Sequence, residues 1–205
     1  MSPKVSKEHK EQRRANILNA AKDVFIEHGY EHTTMKHIMD AANVSRGGLY
    51  QYFLNKEDVF ETILEEDLQL NLNELEEVLR EKVHSHWDLL LETIYGEERQ
   101  PNDDMNSLAP SKLEFFITGR NDKRRREFGK ARYYNGLKLY SAIIEQGQQK
   151  GEFCTKFDSD IIARSIIAFI DGLAFDHSIL PKEDLKMKQQ SALFRDYLKT
   201  ILGVE

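Results

Sequence analysis

The sequence predicts an all-α protein of 205 residues, and three observations support this fold class. Apolar residues recur at helical spacing, and no segment alternates apolar and polar residues as an exposed strand would. The chain has only 4 Pro and 11 Gly, so few positions interrupt a helix. Apolar residues make up 40% of the chain, which is enough to build a hydrophobic core.

Composition excludes several classes of protein. The single cysteine, Cys154, excludes an internal disulfide and any zinc site built from several cysteines. No apolar run approaches the ~20 residues that cross a membrane, and the charged N-terminus is not followed by an apolar signal core. We therefore expect a soluble, cytoplasmic protein with no membrane partner.

The charge is distributed unevenly. The net charge is −6, but residues 1–56 hold nine Lys and Arg against six Asp and Glu, whereas residues 57–205 hold 20 against 29. Only the first part attracts polyanions, and the rest repels them. We predict an N-terminal domain over residues 1–56, with its core at 10–56, and a second domain over 57–205.

The N-terminal domain begins with two predicted helices. The first spans residues 10–28, and Gly29 follows it, where a left-handed backbone favours glycine. Thr33 or Thr34 can cap a short second helix, which buries Ile38. The first nine residues are predicted to form a basic arm.

A tight turn and a third short helix follow. Asn43 tolerates the left-handed backbone of the turn, Ser45 caps the third helix, and Leu49 points inward. The first turn of this helix contains Gly47 and Gly48, which cost ~1 kcal/mol each relative to Ala. Such a cost indicates that another molecule approaches this backbone closely. Two short helices joined by a tight turn are typical of proteins that place a helix in the DNA major groove.

The remaining chain predicts a bundle of longer helices. Asn55 caps a fourth helix, with Asp58 as its reciprocal partner, and this helix continues to about residue 80. A polar loop is predicted at 96–109, and further helices at 83–95, 110–117, 122–150, 160–179 and 183–202.

The N-terminal motif resembles the TetR family of transcriptional regulators. The match is dense over about 60 residues, with a C-terminal echo at 169–174; its residues are Ile17-Leu18, Ala20-Ala21, Phe25, Gly29-Tyr30, Thr33-Thr34, Ile38, Ala41-Ala42, Val44-Ser45, Gly48-Leu49-Tyr50, Tyr52-Phe53 and Lys56-Glu57. The resemblance implies about nine helices, a homodimer, and DNA affinity that changes when a small molecule binds. It implies neither an enzyme nor a cofactor.

The resemblance also implies which residues contact DNA. Arg46 would make a bidentate contact to guanine, worth ~1–3 kcal/mol of discrimination. Lys56 would hold a phosphate at the start of the fourth helix. The full set carried over by position is Thr33, Thr34, Lys36, Ser45, Arg46, Gly47, Gly48, Tyr50, Gln51, Tyr52 and Lys56.

Aromatic residues of the middle helices are candidates for a ligand pocket. Buried Tyr and Trp need partners for their polar atoms, and several in one bundle are consistent with a pocket between helices, although ordinary core packing is the alternative. The predicted pocket residues are Trp87, Phe115, Phe116, Tyr133 and Tyr134. Such a pocket suits an apolar or aromatic effector.

The helix at 160–179 is apolar around more than half of its circumference, and a second apolar stripe follows at 185–201. The alternatives are a buried central helix or a four-helix interface between two chains related by a two-fold axis. We predict the dimer interface, formed by Ile162, Ile166, Phe169, Ile170, Leu173, Leu193 and Tyr197.

Other features carry weaker signals. The basic run 123–126 is either a second polyanion site or, as we favour in this acidic domain, a solvated first turn. The histidines at 28, 32, 37, 84 and 86 do not share helical faces, so no metal site is predicted. No signature of an enzyme is present.

We therefore predict a homodimeric, sequence-specific DNA-binding regulator that binds a palindromic operator, acts as a repressor, and is released or modulated by a small molecule. The alternative is a ligand-sensing or protein-interaction module that kept the fold and lost operator binding.

Overall fold

A computed structural model describes residues 7–80, 83–101 and 108–204. This part of the chain contains no strand, which confirms the predicted all-α class. A 3₁₀ turn at Gly119–Asn121 precedes the helix that begins at Lys123. The helices are α1 (Lys7–His32), α2 (Met35–Ala41), α3 (Arg46–Tyr50), α4 (Lys56–Arg80), α5 (His86–Tyr95), α6 (Ala109–Thr118), α7 (Lys123–Gln149), α8 (Ser159–Ile179), α9 (Lys182–Leu185) and α10 (Met187–Leu202).

The chain forms two compact units. The N-terminal unit contains residues up to Asp67 together with residues 108–120, and the C-terminal unit contains the others. α4 therefore contributes its first half to one unit and its second half to the other. The predicted boundary between a DNA-binding domain and a ligand-binding domain, at residues 56 and 57, stays a prediction. In the structure, the start of α4 and all of α6 also belong to the N-terminal compact unit.

An aromatic cluster forms the centre of the N-terminal unit. The ring centroids of Phe25 and Phe60 lie 4.6 Å apart, and those of Tyr30 and Phe115 lie 4.9 Å apart. Phe60 and Phe115 are 5.2 Å apart, and Phe115 is fully buried. Because Phe115 comes from α6, about 50 residues after the end of the predicted N-terminal domain, this core depends on a distant segment of the chain.

Polar contacts fix α6 against the end of α1. The hydroxyl of Ser111 donates to the carbonyl of Phe25 at 2.7 Å. A carboxylate oxygen of Glu114 accepts from the backbone N–H groups of Tyr30, at 2.5 Å, and Glu31, at 3.2 Å. These N–H groups follow a break inside α1 at residue 29, where φ is 74°. The predicted left-handed glycine is therefore present, but the helical chain resumes after it and ends at residue 32.

The start of α4 confirms the predicted capping pair in a modified form. Oδ1 of Asn55 accepts from the backbone N–H of Asp58 at 2.8 Å, as predicted. The carboxylate of Asp58 accepts from the N–H of Leu54 at 2.8 Å. Both interactions satisfy N–H groups at the helix N-terminus, which no helical carbonyl can reach.

The C-terminal unit packs α5, α7, α8 and α10 around a second core. Its fully or nearly buried members include Leu90, Leu137, Ile143, Ile144, Phe153, Ile162, Ile166, Leu198 and Leu202. Gly147 permits close packing in this core, because a β-carbon there would overlap the ring of Phe153. None of the helices in the described ranges has the length and apolarity needed to span a bilayer.

Ser85 is the N-cap of α5, because its hydroxyl oxygen accepts from the N–H of Asp88 at 3.1 Å, so this helix begins at residue 86 rather than at the predicted residue 83. Glu152 binds further N–H groups at the same helix end. Its carboxylate accepts from the N–H groups of His86, at 2.8 Å, and Trp87, at 2.9 Å, and from the hydroxyl of Ser85, at 3.2 Å. It also lies 2.6 Å from Nδ1 of the buried His86 ring. Partial burial raises the pKa of Glu152, but these hydrogen bonds together outweigh burial, and the net effect lowers the pKa.

The last predicted helix is in fact two helices. Lys186 adopts a left-handed backbone with φ 48°, which separates α9 from α10. The sequence around Lys186 has no glycine or proline at the break, so local signals did not reveal it. The predicted loop at 96–109 lies partly outside the described residues.

Candidate nucleic-acid interface and helical cavity

Two residues hold α3 in place: Ser45 caps its N-terminus, and the buried side chain of Leu49 packs against the N-terminal unit. Oγ of Ser45 accepts from the N–H of Gly48 at 3.2 Å, as expected of an N-cap. Leu49 is fully buried and anchors the helix to the N-terminal unit. Asn43 has φ 50°, so the predicted left-handed turn precedes this helix. These interactions fix the direction in which the remaining side chains of α3 point.

The opposite side of α3 is exposed. Arg46 is exposed, and its guanidinium carbon lies 5.5 Å from the centre of the Tyr50 ring, which is 42% exposed. This cation–π contact places the two side chains next to each other on the exposed side of α3. A β-carbon placed at Gly47 would meet no atom within 4 Å, so the surface beside this residue is open.

Gly48 has a different environment. A β-carbon there would lie 3.3 Å from Nη2 of Arg13 and 3.3 Å from Oγ of Ser45. Gly48 therefore leaves room for the guanidinium end of the Arg13 side chain, while Gly47 leaves room on the outer surface. Arg13 was not among the predicted DNA contacts; it is an exposed cation beside the first turn of α3, and only its charge could have suggested it.

Of the two threonines before α2, Thr33 is buried and Thr34 is exposed. Thr34 is exposed, and its hydroxyl oxygen accepts from the N–H of His37 at 3.2 Å, so Thr34 is the N-cap. Thr33 is 1% exposed, and its hydroxyl donates to the carbonyl of Gly29 at 2.6 Å. The structure corrects the assignment of the Thr33 side chain to DNA, because it is buried and braces the end of α1. Lys36 is exposed.

Lys56 has a structural role that the sequence did not reveal. Its ammonium group donates to the carbonyls of Tyr30, at 2.7 Å, and Glu31, at 2.8 Å, and lies 4.6 Å from the centre of the Tyr30 ring. A cation at the carbonyl end of a helix is favourable. Lys56 therefore joins α4 to the end of α1. Of the other two predicted contacts, Gln51 is exposed and Tyr52 is half-buried.

A cavity of about 310 Å³ lies between α4, α5 and α7 of the C-terminal unit. Glu74 is exposed, and Glu92 is half-buried and bound at 2.9 Å by Arg99. Burial raises the pKa of Tyr140 to about 12, and the negative charge of Asp171 adds to the effect. The lining residues are Asn71, Glu74, Val78, Leu89, Glu92, Thr93, Leu139 and Tyr140.

The five predicted pocket residues do not line this cavity. Phe115 belongs to the core of the N-terminal unit, where it contacts Phe116 with ring centroids 5.2 Å apart. Tyr133 and Tyr134 are 37% and 47% exposed on α7, and Trp87 packs beside the second core. Aromatic residues at helical spacing mark core and surface alike, and a ligand-binding role for these five residues stays a prediction.

The predicted dimer face also needs correction. Ile162, Ile166 and Leu173 are at most 6% exposed inside the chain's own core, so these three cannot meet a partner. Phe169 and Ile170 are half-buried, and only Leu193 and Tyr197, at 73% and 45%, are well exposed. α8 instead presents one exposed stripe at spacings of seven, four, three and four residues, which we call the α8 stripe: Ile161, Ala168, Gly172, Phe175 and Ile179.

Two family models match this chain. The model described as "Bacterial regulatory proteins, tetR family" matches residues 17–63, and the model "Tetracyclin repressor-like, C-terminal domain" matches residues 92–188. The HTH-type transcriptional regulator YfiR of Bacillus subtilis is 32% identical over 100% of this chain and 99% of its own length. The chain belongs to the TetR family.

Two further comparisons agree with this TetR-family assignment. The HTH-type transcriptional regulator UidR of Escherichia coli is 25% identical over 93% of this chain and 91% of its own length. The structure of Salmonella enterica GusR matches with a TM-score of 0.71 and 25% identity, over 97% of this chain and 98% of that one. The TetR resemblance seen in the first 60 residues is thus confirmed over the whole chain, which is a DNA-binding transcriptional regulator and not an enzyme.

The two remaining sequence predictions concern a metal site and the basic run 123–126. Among residues 7–80, 83–101 and 108–204, no group of three His, Cys, Asp or Glu side chains could hold a metal ion. The basic run 123–126 forms the first turn of α7, where Asp122 is the N-cap. Its first two residues and Arg126 are exposed, as a solvated turn would be.

Proposed function

We propose that this TetR-family protein binds a palindromic operator as a homodimer and represses transcription until a small molecule binds and lowers its affinity for DNA. The observation that carries the proposal is the exposed first turn of α3. There Arg46 and Tyr50 contact each other beside the open surface at Gly47, while Ser45 caps the helix and Leu49 anchors it from within.

The proposed contacts follow from which side chains are exposed. Arg46 reaches the base edges, where a bidentate contact to guanine is worth ~1–3 kcal/mol of discrimination. Tyr50 contacts a thymine methyl group or a phosphate. Thr34, Lys36 and Arg13 lie at the edges of this surface and supply phosphate contacts, which position the protein without reading sequence. Lys56 supports the surface through the end of α1.

A second copy of this chain is the proposed partner of the α8 stripe. The five residues of the stripe are apolar or glycine, and Phe175 and Ile179 are 49% and 60% exposed. A β-carbon at Gly172 would meet nothing within 4 Å, so the middle of the stripe is flat enough for close helix contact. Leu193 and Tyr197 of α10 extend the apolar surface. Two chains joined in this way present two copies of α3 to the two halves of a palindrome.

The cavity between α4, α5 and α7 is the proposed effector site. α4 lines the cavity with its second half, while its first half carries Phe60 and Lys56 in the N-terminal unit. A ligand that favours one position of α4 therefore changes the separation of the two recognition helices. It acts only through a difference in its affinity for the two states. A dimer bound at a promoter in the cytoplasm blocks access to it, which favours repression.

The first experiment is selection of genomic DNA fragments by the purified protein at ~150 mM salt, where non-specific phosphate attraction is suppressed. We expect an enriched palindrome that is lost in the double variant Arg46→Ala, Tyr50→Ala. Arg120→Ala is the control, because it removes one exposed cation of the same unit that belongs to the 3₁₀ turn after α6 and not to the helix-turn-helix. A folded dimer that enriches nothing supports the alternative, an interaction module without operator binding.

The dimer is tested separately by sedimentation of Phe175→Asp. The charge in the middle of an apolar interface should convert dimer to monomer and reduce affinity for the full palindrome more than for a half-site. Leu70→Asp, which changes another exposed apolar residue outside the α8 stripe, is the control. A Phe175→Asp protein that stays dimeric contradicts this assignment of the interface.

A further inference from the structure

Glu114 of α6 binds the backbone of a distant part of the chain. Its Oε2 accepts from the N–H groups of Tyr30, at 2.5 Å, and Glu31, at 3.2 Å. The non-helical backbone at Gly29 interrupts the helical hydrogen bonds of α1, so the N–H groups that follow it need another acceptor. A β-carbon at Gly29 would lie 2.8 Å from the same carboxylate oxygen, so glycine admits Glu114 as well as the left-handed backbone.

The other side of the same backbone is held by Lys56 of α4. Its ammonium group donates to the carbonyls of Tyr30, at 2.7 Å, and Glu31, at 2.8 Å. These two residues thus have their N–H groups bound by an anion from α6 and their carbonyls bound by a cation from α4. Hydrogen bonds to charged groups are stronger than those between neutral groups. Side chains of α4 and α6 therefore fix the conformation of this short segment.

The segment leads directly into the part of the proposed DNA surface that α2 supplies. We call residues 29–34 the connector. Within it, the buried Thr33 donates from its hydroxyl to the carbonyl of Gly29 at 2.6 Å. The exposed Thr34 ends the connector and caps α2, and the exposed Lys36 lies in the first turn of α2. The positions of Thr34 and Lys36, both proposed phosphate contacts, therefore depend on the conformation of the connector.

From this network we propose that Glu114 is a positioning residue for operator binding. It acts through the connector, which it holds in the conformation that presents Thr34 and Lys36 to phosphates. The proposal rests on the proposed function and deepens it, because it assigns a residue of α6 to the support of the DNA-binding surface. Glu114 lies 84 residues after Tyr30 in the sequence, so no local motif marks it.

Charge alone predicts the opposite effect of removing Glu114. A carboxylate in a DNA-binding unit repels phosphates, so its loss should raise affinity for DNA if charge were its only contribution. A positioning role predicts that the affinity falls. The sign of the change therefore distinguishes the two roles.

The first test measures the affinity of full-length variants for the selected DNA fragment by anisotropy at ~150 mM salt. Glu114→Ala removes the acceptor, and we expect Kd to rise about fivefold or more, the scale of one lost hydrogen bond. Glu114→Gln keeps an acceptor oxygen of the same reach and should lose less affinity. Glu65→Ala is the control, because it removes the same charge from an exposed position of α4 in the same unit. A Glu114→Ala protein that binds as tightly as Glu65→Ala overturns the proposal.

Amide hydrogen exchange distinguishes the positioning of α2 from a general loss of stability. The N–H groups of His37 and Ile38 are bonded to the hydroxyl and carbonyl oxygens of Thr34, each at 3.2 Å. Their exchange should become faster in Glu114→Ala, whereas the N–H of the fully buried Ile63 reports global opening and should exchange as in the parent. Unchanged exchange at His37 and Ile38 contradicts the proposal, and so does an equal acceleration at all three residues.

The exchange measurement also separates this inference from the proposed function. It needs no DNA, so it decides whether Glu114 positions α2 even if the parent protein enriches no operator, in which case operator binding fails by itself. If the parent protein binds its operator and Glu114→Ala binds it equally well, the proposed function stands and the role of Glu114 fails.

Discussion

Replacing Gly47 by alanine should stabilise the folded protein and at the same time weaken operator binding. In the structure a β-carbon at this position meets no atom within 4 Å, so alanine adds no steric cost to the free protein. Glycine within a helix is less stable than alanine by roughly 0.5–1 kcal/mol. The free energy of unfolding should therefore rise by about that amount, which corresponds to an increase in Tm of about 1–4 °C for a chain of this size.

The effect on DNA has the opposite sign. If α3 enters the major groove with its first turn leading, the added methyl group meets the DNA and displaces the neighbouring Arg46. Loss of one bidentate base contact costs ~1–3 kcal/mol, which is an increase in Kd of roughly 5- to 150-fold. Stability and affinity thus move in different directions, which a general disturbance of the fold would not produce.

Two assays and one matched control test this reasoning. Thermal unfolding measures stability, and anisotropy of the selected DNA fragment at fixed salt measures affinity. Gly136→Ala changes a glycine of α7 whose β-carbon would also meet nothing within 4 Å, so it should share the stabilisation and leave DNA binding unchanged. A Gly47→Ala protein that is more stable and binds the fragment as well as the parent refutes close approach of DNA at this turn.

Three further predictions concern stability. Lys56→Gln should destabilise the N-terminal unit by about 1–3 kcal/mol, because the carbonyls of Tyr30 and Glu31 lose a charged donor. A free energy of unfolding in urea that does not change would show that Lys56 does not stabilise the fold and would leave it only the predicted contact with DNA. Glu152→Gln should lower Tm at pH 7, and since the folded-state pKa of Glu152 is lowered, the stabilisation is present above its ordinary value of 4.5 and lost as the pH falls below it. Parent and variant Tm curves should therefore converge in acid, and curves that stay parallel from pH 7 to below 4 contradict this. Phe115→Ala should cost about 3–5 kcal/mol and abolish DNA binding through loss of the N-terminal core, and a well-folded, DNA-binding variant would show that α6 is dispensable there.

The local elements were predictable because their signals lie within a few residues of each other. Ser45 and Thr34 act as N-caps, Asn43 makes the left-handed turn, and Asn55 with Asp58 starts α4, all from short-range hydrogen bonds that the residue types favour. The break at Lys186 was missed because no such residue type marks it.

Residues of the candidate site were predictable only in part. The exposed turn of Arg46, Gly47 and Tyr50 follows from the spacing of the motif together with its family resemblance. The buried hydroxyl of Thr33 and the bonds of Lys56 to the end of α1 depend on where distant backbone groups lie, which spacing does not encode. The wall carboxylates Glu74 and Glu92 resemble any other solvated glutamates of an amphipathic helix.

The sequence by itself determined the helical class, the helix-turn-helix and the family, since all three depend on local periodicity and on one dense motif. Only the tertiary structure decided that α6 belongs to the N-terminal unit, which apolar residues of α8 face outward, and which side chains surround the cavity. A helix that is apolar on most of its circumference has more than one face that could be buried. The choice between them is made by the packing of helices that are far apart in the chain, as the burial of Ile162 and the exposure of Phe175 show.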